Sequence, residues 1–170
     1  MFKKIELSFE NLDLLNHKGE VSFVAGKFRE FTILEREKLI EKIESIITFK
    51  IKPDIVNITE ITYPGAGPHT DTWPVALNLY LTASDDVTYF WEQNKNASLP
   101  NYGTVGRFNE EHLSIAGSFI ASRGESYLLN TKAIHSVKLA KENSSRVMLR
   151  FAWKYFSFDE VLDSISINNT

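Results

Sequence analysis

The chain has 170 residues, 43% of them hydrophobic and 12% aromatic, with a formal charge of −3. That length supports one domain, 1–170, with a substantial core and is short for two. The charge balance carries no basic footprint for duplex nucleic acid or an anionic membrane, no apolar run approaches spanning length, and "MFKKIELSFE" lacks a signal peptide's apolar core, so a cytoplasmic protein is expected. The absence of cysteine excludes disulfides, thiol catalysis, iron–sulfur clusters and Cys-ligated zinc.

In chain order, the short alternations "KKIELSF" and "EVSFVAGKF" predict strands. "TILEREKLIEKIESIITF" follows, with Leu34, Leu39, Ile40, Ile43, Ile46 and Ile47 spaced as the buried face of one helix, and Thr32 with Glu35 as a capping box. From Lys52 the period changes. "DIVNITEITY" places Ile55, Asn57, Thr59 and Ile61 opposite Val56, Ile58, Glu60 and Thr62. Then come "PVALNLYLTA", "DDVTYFWEQ", "GSFIASRGESYLLNT", "AIHSVKLA" and "SRVMLRFAWKYF", each bounded by turn residues, and a short terminal helix, "FDEVLDSI". The pattern predicts a mainly β fold with flanking helices: a jelly-roll core over about 53–156, with the N-terminal amphipathic helix packed on one sheet. The aperiodic stretch from Asn94 to Glu111 has the length of a lid or mobile loop.

The chemistry concentrates in "ITYPGAGPHTDTWPVALNLYL". A His-x-Asp pair has a chance probability of roughly one in six here, so His69 and Asp71 alone could be a loop histidine and a turn-capping aspartate. With a distant second histidine the pair makes a facial triad, three ligands on one side of an octahedral iron. Downstream, His112 lies in the charged "NEEH", whereas His135 begins an apolar-alternating strand and is the better third ligand. Arg146 comes eleven residues after His135, and the intervening "KENSS" predicts a hairpin that pairs the two strands. Arg146, Met148 and Arg150 share one face; Val147, Leu149, Phe151 and Trp153 share the other, which should pack under the helix. The arginine face then points inward, where a guanidinium needs an anion, and a dicarboxylate suits its fork.

Together these elements resemble the Fe(II)/2-oxoglutarate-dependent dioxygenases, whose double-stranded β-helix carries His-x-Asp…His…Arg; "YPGAGPHTD" and "GESYLLNTKAIHSVKL…SSRVMLRFAWK" are similar to the prolyl-hydroxylase-like branch over Ile55 to Tyr155. The resemblance implies Fe(II) on His69, Asp71 and His135, and 2-oxoglutarate held by Arg146 with Tyr80, Asn78 and Tyr63 around it. It also implies O2 as oxidant and hydroxylation of an unactivated C–H bond of an amino acid, free or in a peptide, with release of succinate and CO2. Because Asp71 supplies a carboxylate, hydroxylation is implied and not halogenation. Trp73, Arg107 and Arg150 are candidate substrate contacts; a packed aromatic and a solvated charge are the alternatives for the first two, and a stand-in for Arg146 or a structural ion pair for the third. The chain departs from the family in lacking a Gly-Gly after "LNLYL" and in carrying Arg150 inside. The rivals are a cupin-type metal enzyme that does not use 2-oxoglutarate and a non-catalytic jelly-roll binding module.

Overall fold

The computed structural model describes residues 1–6, 21–23, 26–30, 33–44, 46–62, 64–82, 84–94, 107–142 and 144–167. The chain begins with strands β1 (Phe2–Ile5), β2 (Val21–Phe23) and β3 (Gly26–Glu30), helix α1 (Ile33–Glu44) and strand β4 (Ile47–Phe49). Eight strands follow: β5 (Ile55–Thr62), β6 (Gly65–His69), β7 (Val75–Tyr80), β8 (Val87–Gln93), β9 (Leu113–Ile120), β10 (Ser126–Asn130), β11 (His135–Lys138) and β12 (Ser145–Trp153). Helix α2 (Phe158–Ser164) and strand β13 (Ile165–Ile167) close the described chain.

The strands form a seven-stranded sheet ordered β1-β10-β7-β12-β5-β3-β2, a four-stranded sheet ordered β6-β11-β8-β9, and the pair β13-β4. From β5 onward the chain passes from one large sheet to the other at every connection except β8 to β9. That winding defines a jelly roll. Every pairing is antiparallel, so each strand of the larger sheet presents alternate residues to its two faces.

One face of the larger sheet is apolar. Val75, Leu77, Leu79, Leu149, Phe151 and Trp153 join Leu39, Ile40 and Ile43 of α1 and Val161 of α2 in one buried cluster. At roughly 25 cal/mol per Å² of apolar surface, each such side chain stabilises by about 1.5–3 kcal/mol. The other face looks into the roll, where Tyr80, Phe90, Phe119, Tyr127, Leu129 and Met148 form a second, aromatic-rich cluster. Helix α2 starts at Ser157, whose hydroxyl accepts from the Glu160 amide while Glu160 accepts from the Ser157 amide, a capping box.

Two expectations are corrected. The helix predicted over "TILEREKLIEKIESIITF" ends at Glu44: the Ile46 amide bonds to the Ile43 carbonyl in a turn, and Ile47–Phe49 pairs with β13 as a strand. A run of β-branched Ile-Ile-Thr favours the extended backbone once a partner strand is present. Nor do the strands bearing His135 and Arg146 pair. Strand β11 lies between β6 and β8, and β12 lies between β5 and β7, so the segment after Leu139 crosses from one sheet to the other. The Thr32–Glu35 capping box and the 95–106 part of the expected lid lie outside the described residues.

Candidate metal centre

Strands β6 and β11 pair so that His69 and His135 are direct register partners, which brings the rings to 4.4 Å between centroids. Gly65 makes this pairing possible. It has φ of +109°, and a Cβ there would lie 2.0 Å from the Val137 carbonyl oxygen. Asp71 follows in a short turn, fixed by its own amide, which donates to the Thr131 carbonyl at 2.9 Å, and by Lys132 Nζ, which donates to the Asp71 carbonyl at 3.2 Å.

Each imidazole is oriented from behind. His69 Nδ1 meets the Gly67 carbonyl at 2.7 Å and His135 Nδ1 meets the Ala133 carbonyl at 3.0 Å. A carbonyl can only accept, so Nδ1 donates in both rings and Nε2 is the ligand atom of each neutral ring; without a metal, a protonated His69 donates from Nε2 to Asp71. Both Nε2 atoms turn toward the aspartate, at 3.4 Å from Oδ1 for His69 and 3.9 Å from Oδ2 for His135. The three ligand atoms lie within 4.8 Å of one another. Adjacent ligands at about 2.1 Å from an octahedral ion stand about 3 Å apart, so the widest pair would have to draw together by up to about 2 Å to close on a metal. An N2O donor set of this kind suits iron, manganese or zinc.

Electrostatics keep the cluster ready for a cation. Burial works to raise the Asp71 pKa, but the charge of Arg150, the His69 hydrogen bond and the two imidazoles outweigh it and hold the carboxyl well below the usual range. Burial pushes His135 down to about 4, so its ring is neutral at neutral pH. For His69 burial acts downward too, yet the hydrogen bond and charge of Asp71 raise its pKa overall.

Both interior arginines are placed on the inward face of β12. Arg146 is 1% exposed, and its Nη1 donates to Thr88 Oγ1 at 2.8 Å. Its Cζ stands 4.3 Å from the centroid of the Tyr80 ring, a buried cation–π contact. Its Nε and Nη2 have no hydrogen-bond partner, and no carboxylate pairs with it among the described residues. Arg150 Nη2 instead reaches Asp71 Oδ2, and its Nε is buried without a partner. Asn78, directly beside Arg150 on β7, is 7% exposed with an unpartnered Oδ1.

The remaining candidates scatter. Trp73 packs against Ile55, Ala76 and Ala152, with Lys154 Nζ 4.8 Å from its ring centroid. Arg107 is exposed and bridges to His69 through its backbone, alongside a bond from the Phe108 amide to the Pro68 carbonyl at 3.0 Å. Tyr63 lies outside the described residues. His112 is exposed in a 3-10 turn. Sequence reasoning missed Thr88 and Thr131. Thr88 was legible as the hydroxyl in the inward alternation Asp86, Thr88, Phe90; Thr131 holds Asp71 through its backbone carbonyl, which leaves no sequence signal.

A two-sheet jelly roll carrying a His-Asp-His cluster able to hold a metal ion is thus the class that fold and site define. No protein-family model matches the chain, and no curated protein matches it. Among solved structures it is similar to hazelnut (Corylus avellana) vicilin, at 14% identity and a TM-score of 0.44, over 84% of this chain and 32% of that one. It is also similar to the oxalate decarboxylase of Lactobacillus farciminis, at 14% identity and TM-score 0.42 over 90% and 34% of the two chains. For an oxalate decarboxylase variant of Bacillus subtilis the values are 10%, 0.42, 82% and 29%. The chain spans about a third of the length of these proteins. With TM-scores this low, the fold assignment rests on strand order and register. Among the described residues no helix is long and apolar enough to cross a membrane.

Proposed function

We propose that the protein is a metal-dependent enzyme, and within that class an Fe(II)- and 2-oxoglutarate-dependent oxygenase that hydroxylates a small molecule or peptide. The observation that carries the second step is Arg146, a buried guanidinium with two orphaned nitrogens, Nε and Nη2. These two form one edge of the fork, the edge that grips a carboxylate two-pronged. An unpaired charge at 1% exposure is costly enough that a bound anion is its natural complement.

His69, Asp71 and His135 would hold the metal through Nε2, a carboxylate oxygen and Nε2. Iron bound with 2-oxoglutarate and O2 supplies an oxidant strong enough to hydroxylate an unactivated C–H bond, with succinate and CO2 as co-products. The Gly67 and Ala133 carbonyls keep each imidazole in its ligating tautomer. Arg146 anchors the remote carboxylate of 2-oxoglutarate, with Thr88 and the Tyr80 face fixing the guanidinium. Phe90, Phe119 and Met148 in the inner cluster exclude water around that anchor, which strengthens the ion pair.

The test is anaerobic addition of Fe(II) and then 2-oxoglutarate, followed by visible absorption. The weak charge-transfer band of the chelate is expected in the wild type and absent in His69→Ala. No band in the wild type overturns the oxygenase assignment. A second possibility, a metal enzyme that binds a small carboxylate directly and needs no 2-oxoglutarate, is favoured by one feature: Arg150 stands beside the metal cluster itself. Metal binding without any effect of 2-oxoglutarate would select it.

A further inference from the structure

Arg146 and Arg150 share one face of β12 four residues apart, about 14 Å along an antiparallel strand at roughly 3.4 Å per residue. Their guanidinium groups serve different neighbourhoods, Tyr80 and Thr88 for the first, Asp71 for the second. One co-substrate anchored at Arg146 leaves the second arginine unexplained. Arg150 is flanked across the sheet by Asn57 on β5 and Asn78 on β7, both direct register partners. Side chains so paired stand about 4.5–5.5 Å apart at Cβ on the same face. The three therefore form a polar row on the inward face, and the bond from Arg150 to Asp71 fixes its distance from the metal ligands as one side chain.

The row is incompletely satisfied. Asn78 is 7% exposed yet its Oδ1 has no donor, and Arg150 Nε is buried with no acceptor. A purely structural Arg150–Asp71 pair would need neither vacancy. An acceptor and a cationic donor side by side ask for a ligand with one donor and one anionic acceptor. An amino acid offers both, as ammonium and carboxylate.

We propose that Asn57, Arg150 and Asn78 form the recognition row for the primary substrate, and that this substrate is a free amino acid held by its own carboxylate. Arg150 grips the carboxylate, and Asn78 Oδ1 accepts from the ammonium. This assigns Asn78 to the substrate and not to 2-oxoglutarate. The assignment rests on the oxygenase function proposed above.

The test uses the anaerobic Fe(II)–2-oxoglutarate complex of the full chain and reads the shift of its visible band. Each free L-amino acid is titrated, in parallel with its carboxamide and with the same residue inside an N-acetylated, C-amidated peptide. At least one free amino acid is expected to shift the band, with its carboxamide and its peptide form about ten- to hundredfold weaker, the range for a lost charged hydrogen bond. Arg150→Lys, which keeps a cation beside Asp71 and loses the planar fork, should need about tenfold more amino acid to move the band. Asn78→Leu, which keeps a similar volume and removes the acceptor from the ammonium, should weaken the response to the free amino acid as well. If the wild-type band forms but no free amino acid shifts it, or carboxamides and peptides shift it equally, the row is overturned while the oxygenase assignment stands. An Arg150→Lys protein that answers the free amino acid as the wild type does also overturns it, because the row then makes no use of the fork. If no band forms in the wild type, both proposals fall.

Discussion

A guanidinium that has given up its water for one threonine hydroxyl and one aromatic face is poorly compensated, because it has five N–H donors to satisfy. Arg146 therefore sets stability against function. Replacing it with methionine, which fills similar volume without charge, should raise the stability of the ligand-free protein by about 1–4 kcal/mol, the gain seen when buried ionic groups give way to apolar ones. The same change should abolish 2-oxoglutarate binding and leave metal binding intact. Chemical denaturation of both proteins without ligand measures the first effect, and titration of the metal-loaded protein the second. Lower stability for Arg146→Met would mean that the guanidinium is satisfied already. His135 supplies a pH prediction. Its folded-state pKa is depressed to about 4, below the unfolded value of 6.5, so between those values the unfolded chain binds the extra proton. The stability that this ring contributes is thus present above pH 6.5 and lost as pH falls toward 4, whereas the raised His69 works in the opposite sense. Metal-free wild type should lose stability more steeply over that window than His135→Gln.

Strand pairing, not the residues alone, turns these side chains into a site. His69 and His135 meet because β6 and β11 approach closely at Gly65, where the backbone has positive φ and the Val137 carbonyl occupies the space a side chain would need. Gly65→Ala should therefore cost more than about 2 kcal/mol and lower metal affinity although no ligand is changed. Thermal unfolding together with a metal titration checks both parts. The residues of the His-Asp-His cluster and the inward arginine face were legible in the sequence, because the period-2 alternation of "SRVMLRFAW" and the placement of His135 at a strand start are local signals. The partners of those strands were not. "KENSS" has turn chemistry, but turn residues report only that the chain reverses, and the crossing from β11 to β12 is decided by which faces must be buried. The helix boundary escaped for a similar reason. Ile46 and Ile47 continue the helical spacing of α1, while β13, over a hundred residues later in the chain, supplies the edge that makes them extended.

At the level of the molecule the larger sheet separates two tasks. Its outer face carries the apolar cluster with α1 and α2, and its inner face carries the arginines, Asn78 and the aromatic cluster, while the smaller sheet brings both histidines. The larger apolar cluster thus lies on the side away from the His-Asp-His cluster, and Leu149 and Trp153, each 0% exposed, are its deepest members on β12. Trp153→Ala should cost about 3–5 kcal/mol by loss of burial and formation of a cavity. Removing a metal ligand should not. His69→Ala vacates a partly exposed position at the end of β6 and leaves the outer cluster whole, so the variant should keep a cooperative unfolding transition without metal. Linkage then separates the two tasks in one measurement. A metal that binds only the folded state at a concentration of about 100 Kd stabilises it by about 2.7 kcal/mol. Wild type should show that rise with Mn(II) or Fe(II). Trp153→Ala, if still folded, should show the same increment from a lower baseline, and His69→Ala should show its baseline with little increment. An increment that shrinks in Trp153→Ala as much as in His69→Ala would show that the two faces of the sheet are coupled, and that the outer core holds the metal ligands in register as well as holding the fold together.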